Sequence, residues 1–359
     1  MKNFIQKNKA DLVAFSKMSQ TAGARADYVQ GGGGNTSVKF ADGLMAIKAS
    51  GFCLSDITED NAYALINLAG LQKFYGENSP QTLSDVEKEG AACTKENTVV
   101  LDGMNPLRPS VEAGFHSILK KFVCHTHSVY ANLCCCSHEM NEIAEKAFSG
   151  AAYSWGSVPY TDPGANLTFA IKAEIARVKE KTGTEPAVIL MQNHGIIVHG
   201  DNADEVLNVH ADANERLAKA FSLTGSSFPK VSVKPVSDDI FEADVPYMTE
   251  ILKSGKYPVK TLLESPLYPD QMVFLIGSLF ENKSDLSDGE CSVDTASGAL
   301  TLKMNEKKAL TITETITAVL FISEHIEKSG YSLSSMGEAA KNFIANWESE
   351  KYRKSLAGK

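Results

Sequence analysis

The sequence predicts a mixed α/β protein on three observations. Residues 165–181 and 204–223 carry apolar side chains at helical spacing. The runs at 122–127 and 187–191 are short and apolar, with the length and side chains of strands. Asp42-Gly43, set between residues 35–40 and 44–48, has the turn chemistry of a β-hairpin.

Taken in order, an opening helix is predicted over 8–20, with Leu12, Phe15 and Met18 on one stripe and a break near Gly23. The hairpin follows, then a helix over 57–75. Residues 76–98 are polar, contain Asn78, Ser79 and Pro80, and read as an insertion before Val99-Val100-Leu101. A short helix is predicted over 113–121, with Ser110 placed to cap its first turn. The helix over 165–181 is stopped by Gly183, and that over 204–223 is capped by Asp201 and closed by Gly225. Ser226-Ser227-Phe228-Pro229 marks a composition shift, so the chain divides into 1–225 and 226–359. Beyond it, strands are predicted over 272–276 and 299–302, a long helix over 311–328, and a last helix over 335–357 bearing Phe343, Trp347 and Tyr352.

A chain of 359 residues buries a core without staples. Its 43% hydrophobic and 22% charged residues are those of a globular protein. The formal charge of -9 argues against nucleic acid and anionic membranes as partners. An anionic substrate therefore needs a local positive site. No signal-like leader and no run of about 18 apolar residues is present, so a cytoplasmic location is expected. Seven cysteines, three of them consecutive at Cys134-Cys135-Cys136 and none spaced Cys-x-x-Cys, predict buried thiols on a helix rather than a disulfide framework.

The chemistry concentrates at His125-Thr126-His127. Residues two apart on a strand share a face, so both imidazoles reach one ion. Alone, the pair is equally well explained as two hydrogen-bonded histidines. His194 lies between the apolar runs 187–191 and 195–198, read as one strand interrupted where the histidine turns inward, and supplies a third nitrogen. Three imidazoles and an open position match a catalytic zinc site, and Glu112 can occupy or guard the fourth position. A competing role for Glu112 is to stabilise the positive end of its helix. His116, one turn later, either supports the site from behind or packs. Gly31-Gly32-Gly33-Gly34 followed by Asn35 is a loop whose backbone N–H groups can converge on an anion, though turns without function look the same, and neither Rossmann nor Walker spacing is present.

Gly34-Asn35-Thr36-Ser37 with Ser50-Gly51, Pro109-Ser110-Val111-Glu112, His125-Thr126-His127 and Asn193-His194-Gly195 resemble, in order, the motifs of the class II aldolase/adducin family. The resemblance runs over 29–223 and is faint beyond. It implies an α/β/α three-layer domain around a mainly antiparallel sheet, followed here by a smaller α+β extension, in a homo-oligomer whose active sites lie near subunit contacts. It implies one zinc, or another divalent metal, per subunit on His125, His127 and His194. It makes Glu112 the acid/base and sometime fourth ligand, and assigns Gly34, Asn35, Ser50, Gly51 and Ser110 to a sugar phosphate. Val111 stands where the fuculose phosphate aldolases place a second serine. The 13-residue step from Glu112 to His125, the insertion and the extension resemble the aldolase part of the bifunctional rhamnulose phosphate aldolase/alcohol dehydrogenases. No strand followed by a G-x-G-x-x-G turn occurs after Ser226 to supply their second half.

The activity so implied is cleavage of a ketose 1-phosphate, fuculose- or rhamnulose-phosphate-like, to dihydroxyacetone phosphate and an aldehyde. Two alternatives share the motifs: a phosphopentose 4-epimerase using the same retroaldol step, and a non-catalytic adducin-like module, which would be expected to lose the histidines. None of Tyr130, Tyr153 and Tyr160 is assigned as the family's tyrosine proton donor, and that role stays open.

Overall fold

The computed structural model of the chain describes residues 1–346. Helices α1 (Lys2–Lys7) and α2 (Lys9–Gly23) open it, the latter burying Leu12, Phe15 and Met18. Strands β1 (Asn35–Lys39) and β2 (Leu44–Lys48) form the hairpin that Asp42-Gly43 predicts.

Residues 57–75 depart from the predicted helix and hold β3 (Tyr63–Asn67) and the start of α3 (Leu68–Glu77). β3 is covered on both faces, with Leu65 in one core cluster and Ile66 in another. Burial on both sides removes the polar alternation that distinguishes a strand from a helix. The polar stretch after α3 is structured as α4 (Val86–Glu96), capped by Asp85, which accepts from the Lys88 N–H, and leads to β4 (Thr98–Val99).

Next come α5 (Ala113–Ile118), β5 (Phe122–Thr126), α6 (Val129–Cys135), α7 (Met140–Ala147), β6 (Trp155–Val158) and α8 (Ala165–Thr182), the last closed by a left-handed Gly183. Then follow β7 (Val188–Met191), β8 (Gly195–Gly200) and α9 (Ala203–Ala220). The cap of α9 is Asn202 rather than Asp201: its side-chain oxygen accepts from the N–H groups of Asp204 and Glu205. All seven cysteines are free thiols, and Cys134, Cys135 and Cys136 are buried.

These strands form one eight-stranded sheet in the order β4-β3-β2-β1-β5-β8-β7-β6, antiparallel except where β6 meets β7. Alternate side chains point to opposite faces. Cys124, Val198 and Leu190 pack in the core that contains α2, α6 and α9, whereas Val123, Ile197 and Ile189 pack with Phe115 of α5 and Leu167 of α8. The sheet is thus sandwiched between helices, the α/β/α arrangement expected.

The carboxy-terminal region contributes β9 (Val233–Ser237), β10 (Ile240–Ala243), α10 (Pro246–Ser254), α11 (Val259–Glu264), α12 (Pro269–Leu275), β11 (Leu279–Glu281), β12 (Glu290–Val293), β13 (Leu300–Lys303), α13 (Glu306–Lys328) and α14 (Glu338–Asn346). Its strands form a five-stranded sheet ordered β11-β12-β13-β10-β9. The predicted strand at 272–276 is instead α12, whose seven residues are all buried. A helix apolar on every side shows no 3.6-residue period, so its sequence passes for a strand. Pro269 at its start pre-sets the helical φ. The 299–302 strand is present as β13, and the long helix begins earlier than predicted, capped by Asn305. Phe343 lies on α14, whereas Trp347 and Tyr352 fall outside the described residues. By length and composition α13 could cross a membrane, yet 78% of its apolar window is buried within the fold. One continuous buried cluster joins Leu12 and Val198 to Ile316 and Phe321 of α13.

Candidate metal centre

Register places the first pieces. Asn35 of β1 sits opposite His125 of β5, so the two side chains are neighbours on one face of the sheet. Glu112 lies at the N-cap position of α5, which packs over that face. Ser110 does not cap the helix. Its hydroxyl instead accepts from the Glu112 N–H at 3.3 Å and so shapes the turn that delivers the carboxylate.

His194 also arrives differently from expectation. β7 and β8 are two antiparallel strands, with Met191 paired to Gly195, and the chain reverses through Gln192-Asn193-His194. Asn193 adopts φ 51°, a left-handed conformation that asparagine tolerates better than most residues. Its side-chain amide donates to the carbonyls of Leu267 and Ser334 at 2.9 and 2.8 Å, anchoring this turn to the carboxy-terminal region.

The three buried histidines converge, with one ligand atom from each lying within 4.8 Å of the others. His125 Nε2 and His127 Nε2 are 3.1 Å apart. The Nδ1 of His125 faces the Ile196 carbonyl at 3.0 Å, and the Nδ1 of His127 faces the Asp270 carboxylate. Both Nδ1 atoms can therefore only donate, so that when both rings are neutral, as metal binding requires, both Nε2 atoms present lone pairs toward the same point. Burial, reinforced by His127 and His194 against the pull of Glu112, pushes His125 down to about 3, so its ring is neutral. Two lone pairs at that distance repel unless a cation lies between them. Glu112 Oε1 and His194 Nδ1 are buried with no hydrogen-bond partner, although His194 Nε2 is 3.2 Å from that same oxygen. This donor set fits a divalent metal, with one nitrogen of each histidine as a ligand and Glu112 beside them.

Glu112 is buried among hydrogen-bonding and histidine partners. Asn35 Nδ2 donates to its Oε2 at 2.6 Å and to Ser110 Oγ at 3.1 Å, and His125 Nε2 is 3.5 Å from Oε2. Burial pushes the carboxyl up, but attraction to His125 and His194 in their protonated forms, with hydrogen bonds from His194 and Asn35, outweighs it and holds Glu112 well below the usual carboxylate range. His116 stands behind this pair. One ring nitrogen meets the Asn35 carbonyl oxygen and the other meets Ser37 Oγ at 2.7 Å. Burial, then the Lys39 charge, keep His116 neutral, so the ring donates to the Asn35 oxygen and turns the amide N–H groups toward Glu112.

The family model of the class II aldolase and adducin N-terminal domain matches residues 16–221. The chain belongs to this family. No curated protein matches it. Among solved structures, it is similar to an N-terminal class II aldolase domain of a conserved protein from Thermoplasma acidophilum, at 22% identity and TM-score 0.48, over 58% of this chain and 92% of that one. A sugar-phosphate aldolase from Thermotoga maritima matches at 15% identity and TM-score 0.41, over 60% and 96%. An L-fuculose-1-phosphate aldolase from Thermus thermophilus matches at 16% and 0.33, over 58% and 93%.

In this class II aldolase family member the residues singled out by motif, apart from the fully buried His125, share one cavity. Gly34, Asn35, Ser50, Gly51, Ser110, Glu112, His127 and His194 line it together with Val111. Gly34 has φ 63°, and a Cβ there would lie 2.5 Å from the His125 carbonyl oxygen, so no larger residue fits. Sequence reasoning missed two residues. Lys48, buried at the end of β2, lines the same cavity and donates to the carbonyls of Gly32 and Phe52 at 3.1 and 2.7 Å. A lysine closing an otherwise apolar strand just before Ser50-Gly51 is the available signal. The second, Asp270, has none nearby in sequence.

Two other buried histidines and the three tyrosines lie outside this cavity. His199 and His210 are buried packing residues, the first between Lys120 and Pro186 and the second against Thr126. Tyr130, Tyr153 and Tyr160 bond Phe228, Asp212 and Asp162 respectively, and none lines the cavity.

Proposed function

We propose that this family member is a zinc-dependent lyase that cleaves a ketose 1-phosphate, of the fuculose or rhamnulose phosphate kind, to dihydroxyacetone phosphate and an aldehyde. The observation that carries the reading is the convergence of three buried histidines, with His125 Nε2 facing His127 Nε2 at 3.1 Å and Glu112 Oε1 3.2 Å from His194 Nε2. An adducin-like binding module has no need to assemble such a donor set.

In cleavage, the hydroxyl on the carbon β to the ketone loses its proton, the carbon–carbon bond breaks, and the aldehyde leaves. The electron pair stays on the carbon next to the ketone and is quenched by a proton. A zinc ion or another divalent cation on His125, His127 and His194 supplies the Lewis acid that makes this pair tolerable. Glu112 moves the proton at that carbon. Its Oε2 is held by Asn35, so Oε1 is the oxygen left for the exchange. Asn35, Ser50, Gly51 and Ser110 offer donors to a phosphate, and Lys48 supplies the local positive charge that an acidic chain otherwise lacks. All three tyrosines lie outside the cavity, so we assign the group that takes the proton from the β-hydroxyl as the aldehyde forms to a neighbouring subunit of a homo-oligomer. We place this activity in the cytoplasm.

The test is release of dihydroxyacetone phosphate from a panel of ketose 1-phosphates, with zinc-loaded protein and a chelated control. Metal-dependent release names the substrate. Interconversion of pentulose phosphates without release identifies the epimerase instead, and inertness of the metal-loaded protein toward both overturns the enzyme reading.

A further inference from the structure

The family match ends at residue 221, yet the centre does not. Asp270, in the first turn of α12, is fully buried and its carboxylate is hydrogen-bonded to His127 Nδ1 across 143 residues of sequence. Its approach is built from both sides. On the catalytic side, Gly33 leaves the space: a Cβ there would lie 2.3 Å from Asp270 Oδ2 and 3.1 Å from His127 Nδ1. The third glycine of the run is therefore accounted for by passage of this carboxylate, independently of any anion-binding role for the loop.

On the other side, α12 is held at both ends of its first turn. Gln271 accepts from the Leu267 N–H at 2.7 Å and donates to the Leu262 carbonyl at 2.6 Å. Tyr268 is buried, meets the His127 ring edge-on at 6.2 Å and donates to Gln30 at 3.1 Å. Asn193, next to His194, binds the carbonyl of Leu267 as well. The segment 267–271 is thus pinned both to His127 at the end of β5 and to the turn that bears His194.

We infer that Asp270 is a positioning residue of the metal centre, supplied by the carboxy-terminal region, which completes a site that the family domain alone leaves unfinished. This rests on the metal-centre reading above. The carboxylate fixes the His127 ring and its tautomer, and its charge raises the basicity of Nε2, as partners behind metal-bound histidines do. The carboxy-terminal region is consequently part of the site and more than an appendage to it.

The experiment is zinc affinity by competition with a chromophoric chelator on the full chain, for the parent, Asp270→Asn, Asp270→Ala and His125→Ala. The visible spectrum of the cobalt-loaded forms and the melting temperature of each metal-free form accompany it. The parent is expected to bind one metal and His125→Ala to lose it; a parent that binds none overturns the metal reading itself. Given a binding parent, Asp270→Ala should weaken affinity by about 10- to 100-fold. Asp270→Asn, which keeps an acceptor but removes the charge, should fall between, with a shifted cobalt spectrum and an unchanged metal-free melting temperature. Affinity within twofold of the parent in a folded Asp270→Asn or Asp270→Ala, with an unaltered cobalt spectrum, overturns the inference. If Asp270→Ala fails to fold, Asp270→Asn decides alone.

Discussion

Asn35 and Glu112, 77 residues apart in sequence, meet at 2.6 Å because Asn35 pairs with His125 across β1 and β5 while α5 packs over the same face. One amide thereby ties the proposed base to the strand that carries His125 and leads into His127. His116 in turn fixes which way that amide points.

Replacing Asn35 by alanine should leave the histidines and their metal in place and free the carboxylate to turn. A hydrogen bond to a charged group contributes about 1.5–3 kcal/mol, so turnover should fall by roughly 10- to 100-fold while zinc content holds. Steady-state kinetics alongside metal analysis check this. Loss of metal as complete as in a histidine variant would show Asn35 to be supporting the ligands rather than the base.

His127→Ala should lose bound zinc, because it removes a ligand atom that no neighbour replaces. Glu112→Gln should keep most of the metal and lose turnover, since the three histidine ligands remain. Metal content of the two purified variants separates them, and equal loss in both would recast Glu112 as chiefly a ligand.

The parts of this site legible in the sequence are those with a short period or a local motif. His125 lies on β5 and His127 one residue past its end, and the Asp42-Gly43 turn announces its hairpin. β3 and α12 mislead because each is covered on all sides, which erases the polar positions that reveal a period. The sequence puts His194 in the right centre on the wrong element, since a three-residue reversal between two apolar runs resembles a break in one strand. Asp270 is illegible: a lone acid in an apolar stretch carries no spacing relation to His127, and only the docking of α12 brings them together.

Acidification should destabilise the metal-free protein through histidines held neutral by burial. His199 is pushed down to about 4 and His210 to about 3, below the unfolded value of about 6.5. Between these values the unfolded chain binds protons that the folded chain refuses, so stability is full above pH of about 6.5 and declines as pH falls. Each such group costs about 1.4 kcal/mol per pH unit in that window. His210→Gln, which can still bond Thr126, should remove about that much of the slope in urea titrations between pH 7 and 5. An unchanged slope would mean that other groups govern the acid transition.

Val111 tests whether the cavity holds a phosphate. It lines the same wall as Ser110, Ser50 and Gly51, and a valine there offers a methyl surface where a hydroxyl would donate. Val111→Ser adds one hydrogen bond of about 0.5–1.5 kcal/mol. With a phosphorylated ketose, KM should drop by about 2- to 10-fold, with kcat little changed because the contact is made equally in ground and transition states. With the corresponding unphosphorylated ketose, KM should not move, since no group reaches the new hydroxyl. A gain confined to the unphosphorylated sugar would place an ordinary hydroxyl against this wall and direct the search for the natural substrate away from sugar phosphates.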